Sequence, residues 1–114
     1  MQVAFGENTI SGQHFKFKDI QGKKPDVCIT TPHKNFVFIM YNQERTWLHW
    51  LVTNNGEFVR YAPPTPPQGT ERHTYVFALF QGKLSLGYIP LGRIFDLSSL
   101  TDGLGFLDAV HFTT

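Results

Sequence analysis

TYVFALF, residues 74–80, is the stretch that decides the fold. After Thr74 every residue is apolar or aromatic, and β-branched and aromatic side chains dominate. An amphipathic helix would need a polar stripe every three to four residues. This run has none and is too short, so it reads as a strand buried on both faces. Working outward, WLHWLVTN (47–54) and FVFIMY (36–41) read the same way, the latter bounded by Lys34-Asn35 and Asn42-Gln43. Weaker strand candidates cover 2–5, 14–17 and 26–30. Between the second and third strong strands lies YAPPTPPQGT (61–70), with prolines at 63, 64, 66 and 67. Proline has no amide donor, so this segment is expected to be a stiff extended loop rather than a central strand. In RIFDLSSLTDGLGF (93–106), Ile94, Leu97 and Leu100 recur every third residue, which predicts one short helix ended by Gly103 or Gly105. The tail, 106–112, reads as a last strand. The expected fold is mostly β, an antiparallel sandwich with one short C-terminal helix, in a single domain spanning 1–114.

Composition narrows the function. The net charge is +1, from 10 basic and 9 acidic residues, and no basic run exceeds Lys23-Lys24. Nucleic-acid binding requires a basic excess to neutralise phosphates, so that partner is not expected. No apolar stretch is long enough to span a bilayer as a helix, and the opening residues lack the charged start and apolar run of a signal peptide. Cys28 is the lone cysteine, so no intramolecular disulfide can form, which suits a reducing, cytoplasmic setting.

Strand alternation singles out three polar side chains. On 47–54, Trp47, His49, Leu51 and Thr53 are expected on one face, with Leu48, Trp50 and Val52 on the other. On the third strand His73, Tyr75, Phe77 and Leu79 share a face. A buried imidazole without a hydrogen bond costs about 1–3 kcal/mol. His49, His73 and Tyr75 are therefore either separately satisfied core groups or, if the two strands are neighbours, one pocket beside the proline loop. Such a pocket would be donor-rich and mildly basic, suited to an anion such as phosphate, with binding that strengthens as the imidazoles protonate. Other chemistries lack a pattern. His14, His33 and His111 lie in unrelated segments and give no third zinc ligand. No nucleophile elbow or phosphate-binding glycine loop is present. No catalytic residue, metal or cofactor is expected.

The same residues resemble the phosphatidylethanolamine-binding protein family. PPQGTERHTYVFALFQ (66–81) is similar to the family's proline pair, glycine and histidine step into a YVF strand, and WLHWLVTN to its tryptophan-histidine strand. FVFIMYNQE (36–44) is similar to the strand that runs into an acidic motif. Here Asn42 stands where the family has its first aspartate, and the loop before Trp47 is cut to Arg45-Thr46. The resemblance implies a compact β-sandwich with a shallow anion pocket formed by His49, His73, Tyr75, Asn42, Trp47, Pro66, Pro67 and Gly69. It also implies a binding protein rather than an enzyme. The expected partner is an anionic small molecule or phospholipid head group. The alternative is a protein-interaction scaffold or a kinase- or protease-type inhibitor with a vestigial pocket.

Overall fold

A computed structural model describes residues 1–65, 72–84 and 92–114. In chain order the elements are β1 (Gln2–Phe5), β2 (Asn8–Thr9), α1 (Phe17–Ile20), β3 (Asp26–Cys28), β4 (Phe36–Asn42), β5 (Trp47–Thr53), β6 (Gly56–Val59), β7 (Thr74–Gln81), α2 (Leu97–Leu100) and β8 (Gly105–Thr113). They form two antiparallel sheets, a small one ordered β2-β1-β3 and a large one ordered β6-β5-β4-β7-β8. The expected sandwich is therefore present.

Both faces of the large sheet's central strands, β5, β4 and β7, are covered, which is why these three read as continuous apolar runs. On one face the small sheet contributes Val3 and Phe5 to a core with Phe38, Met40, Trp50, Tyr75, Phe77, Leu79 and Phe112. On the other face Phe95 and Leu100 cover Val37, Ile39, Leu48, Leu51, Ala78 and Phe80. Between the sheets an apolar cleft of about 420 Å³ remains open, floored by Phe38 and Trp50, with Lys24 and Asp26 on its wall. The Lys24 ammonium sits 5.0 Å above the Trp50 ring.

Four local expectations change. Residues 14–17 are not a strand: His14 makes one bridge to Thr113, and Phe17 opens α1, so there are two short helices rather than one. Ile94 is not on the C-terminal helix. It bridges to Trp47 and is 78% exposed, while the Asp96 carboxylate caps α2 at Ser98 N. That helix closes at Thr101, and Gly105 opens β8 instead of ending a helix. The polar segment 56–59 is a strand, paired with β5 across the Asn54-Asn55 connection. The predicted alternation of the third strand holds in β7, whose Tyr75, Phe77 and Leu79 join one core.

In β5 the alternation breaks. Met40 pairs with Trp50 but Tyr41 pairs with Leu48, leaving His49 as the extra residue of a β-bulge. Leu48 and Leu51 therefore share a face, opposite Trp50, although simple alternation separates Leu48 from Leu51. His49 stays on the side of Tyr75, with the two rings 5.2 Å apart in an edge-on contact.

Candidate functional site

β5 and β7, whose adjacency the pocket reading supposed, are not neighbours. β4 lies between β5 and β7, and its last residue, Asn42, pairs with Trp47 on one side and Tyr75 on the other. The three strand ends enclose a cavity of about 190 Å³ lined by Asn42, Arg45, Trp47, His49, Thr65, His73 and Tyr75. Asn42, His49, His73 and Tyr75 are all buried, so they make its floor. Trp47 is half-buried and forms a wall, its ring 4.5 Å from that of His49. Pro66, Pro67 and Gly69 lie outside the described residues.

Asn42 organises the floor. Its Oδ1 accepts from Glu44 N (3.0 Å) and Arg45 N (3.2 Å), folding the turn that carries Arg45 to the rim. Turning the amide over would set its NH₂ against two N–H donors, so the orientation is fixed. Its Nδ2 then donates to His73 Nδ1 at 2.9 Å. An amide nitrogen only donates, so Nδ1 of neutral His73 is the acceptor and its proton sits on Nε2. Glu44 holds the start of β7 in place by accepting from Thr74 N through both carboxylate oxygens.

His49 has the opposite polarity. Its Nδ1 lies 2.7 Å from the carbonyl oxygen of Ala62, which only accepts, so Nδ1 carries the proton and Nε2 is a bare acceptor. Ala62 N donates back to His49 O, tying the proline segment to the bulge. Burial pushes the His49 pKa down to about 4, the Ala62 bond opposing this and the nearby Arg93 charge adding to it. This imidazole is neutral at pH 7 and shows the cavity a lone pair. The donor-rich expectation is corrected accordingly, and His49 cannot supply a binding response between pH 6 and 8. Burial also raises the Tyr75 pKa, opposed by a hydrogen bond with Asn42, so the phenol stays protonated.

Three contributors were missed in the sequence. Arg45 and Thr65 are exposed lining residues, and Arg45 gives the rim a permanent positive charge. Arg93 lies behind the site. Its Nη1 donates to Leu48 O and His49 O, both at 3.1 Å, and its Nη2 donates to Arg60 O at 2.8 Å. The same guanidinium stacks 5.0 Å from the Trp47 ring. No local pattern around Arg93 marks it, since every partner is distant in sequence. Arg93→Ala is expected to cost about 2 kcal/mol in urea unfolding, because charge-assisted bonds to three carbonyls are lost together. Arg93→Lys should recover only part, since a point ammonium cannot reproduce the planar fork.

Among the described residues no group of three His, Cys, Asp or Glu side chains is placed to hold a metal. No described helix is long and apolar enough to cross a membrane.

A profile of the family described as phosphatidylethanolamine-binding protein matches residues 54–112. The chain belongs to that family. The match takes in β6, β7, α2 and most of β8, and includes His73 and Tyr75 of the cavity floor. No curated protein sequence matches it. Among solved structures, carboxypeptidase Y inhibitor complexed with its cognate proteinase superposes with a TM-score of 0.73 at 15% identity, over 98% of this chain and 80% of that one. The solution structure of CG7054 superposes at 0.71 with 17% identity, over 99% and 82%. These are likenesses of fold, and they extend the family architecture beyond the matched residues to nearly the whole chain.

Proposed function

We propose that this phosphatidylethanolamine-binding protein relative is a non-enzymatic binding domain whose pocket takes a small anion of the phosphate class. The observation that carries this reading is the convergence of two buried imidazoles, a buried phenol and a rim arginine on one cavity. Arg45 supplies charge, His73 Nε2–H a donor, and the Trp47 face a wall for the rest of the ligand. The cavity, about 190 Å³, suits a head group rather than a whole lipid. A nucleophile and a base in hydrogen-bond contact would argue for catalysis, and among the described residues the lining's Thr65 hydroxyl makes no hydrogen bond to His49 or His73.

Titration calorimetry with O-phosphoethanolamine at pH 6.5 tests the reading. Saturable binding that His73→Ala weakens at least tenfold is expected, since the site then lacks its fixed donor. Absence of heat, or binding indifferent to His73, contradicts it. The second reading is a protein-interaction or protease-inhibitor role with an unused pocket. Ile94, exposed beside Trp47, favours it, as does the fold shared with carboxypeptidase Y inhibitor. A partner recovered equally by wild type and by His49→Ala/His73→Ala, and lost with Ile94→Glu, would select that reading.

A further inference from the structure

The two imidazoles that face the cavity are locked in opposite tautomers. Asn42 fixes His73 with Nε2 protonated, and the Ala62 carbonyl fixes His49 with Nε2 bare. Among the described residues neither Nε2 has a hydrogen-bond partner. The buried side-chain polar atom left unpartnered there is Thr114 Oγ1, so both Nε2 atoms open onto the cavity. The two rings therefore offer the cavity one donor and one acceptor. A fully deprotonated oxyanion satisfies the first and is repelled by the lone pair of the second.

We propose that Asn42 makes the pocket selective for a protonated oxyanion, a phosphomonoester in its monoanionic form, with P–OH donating to His49 Nε2 and a P–O oxygen accepting from His73 Nε2–H. Arg45 at the rim balances the single negative charge. Sulfate and phosphodiesters carry no such proton near neutral pH. This deepens the anion-pocket reading and rests on it.

The proton belongs on the ligand for a quantitative reason. A phosphomonoester loses its second proton near pH 6, whereas His49 takes one up only near pH 4. A deprotonated anion binds this floor only when His49 is protonated, which at pH 7 is a minor state by about three decades. Phosphomonoester binding should therefore fall about tenfold for each pH unit above 7, as the monoanion disappears. Sulfate at pH 7 should bind at least about a hundredfold more weakly than the monoester. Asn42→Asp should weaken binding of both. The carboxylate accepts from His73 Nδ1–H, so the neutral ring shows the cavity a second lone pair, and the donor is lost.

The test is calorimetry of the wild-type chain with methyl phosphate, dimethyl phosphate and sulfate at pH 6, 7 and 8. Methyl phosphate binding that weakens from pH 7 to 8, with the diester and sulfate far weaker at pH 7, supports the proposal. Equal affinity for sulfate, or methyl phosphate binding that is flat or rises with pH, overturns the protonated-ligand proposal while leaving an anion pocket. No binding of any of them overturns both. Phosphatidic acid vesicles, against phosphatidylcholine vesicles, separate the two sources of a phosphomonoester. Retention on the first alone assigns the lipid head group, and methyl phosphate binding without retention assigns a soluble ester.

Discussion

Phe112→Ala is expected to lower the unfolding free energy by about 3–5 kcal/mol. Phe112 is fully buried, and its ring touches four others. It meets Phe5 and Phe15 edge-on at 5.3 and 5.7 Å, and stacks on Tyr75 and Phe77 at 5.2 and 5.9 Å. It therefore joins the small sheet and the segment before α1 to the large sheet. Removing it leaves a cavity that two sheets cannot close without moving together, and the remainder after such a loss is a marginal protein. Phe58→Ala is the comparison, since that ring is half exposed. Its cost should stay near or below about 0.5 kcal/mol. Urea unfolding at pH 7 measures both. Because Tyr75 rests on Phe112, the floor of the cavity depends on the same contact.

Lowering the pH from 7 to 4 is expected to remove about 3 kcal/mol of stability through His49 alone. Its pKa is about 4 in the folded chain, below the ordinary 6.5 that it regains on unfolding. Between those values the unfolded chain binds a proton that the folded chain refuses, so acid favours unfolding. The stabilisation is complete above about pH 6.5, falls through the window, and is fully lost below about pH 4. His49→Asn, whose amide can still donate to Ala62 O, should flatten this part of the profile while lowering stability at pH 7. Urea midpoints across pH 4–7 for the two chains give the answer. Parallel profiles would mean that His49 titrates normally.

How far the sequence spoke for the fold follows from what each residue's neighbours could reveal. Tyr75, Phe77 and Leu79 announce their shared face because β7 is regular and paired on both sides with long strands. β5 misleads because one extra residue, His49, exchanges the faces of everything beyond it, and a bulge has no composition of its own. GEFV in β6 hides because its exposed edge strand has little apolar pattern, although the preceding Asn54-Asn55 is a turn signal. FKDI in α1 is a single helical turn, too short for any period to show. At the site, His49, His73 and Tyr75 were legible as polar groups on apolar strands. Their polarity was not, since it depends on partners far away in sequence: Asn42 for His73 and the Ala62 carbonyl for His49. Arg45 was visible only as part of a shortened loop, and its place on the rim follows from the turn that Asn42 caps.

Imidazole ¹⁵N NMR on the labelled chain at pH 7, with methyl phosphate added stepwise, tests the pocket most directly. The account predicts two neutral rings of opposite tautomer, His49 protonated at Nδ1 and His73 at Nε2, whose Nε2 resonances both move with one saturation curve. Two rings of the same tautomer, or Nε2 resonances that stay still as the ester is added, would contradict it.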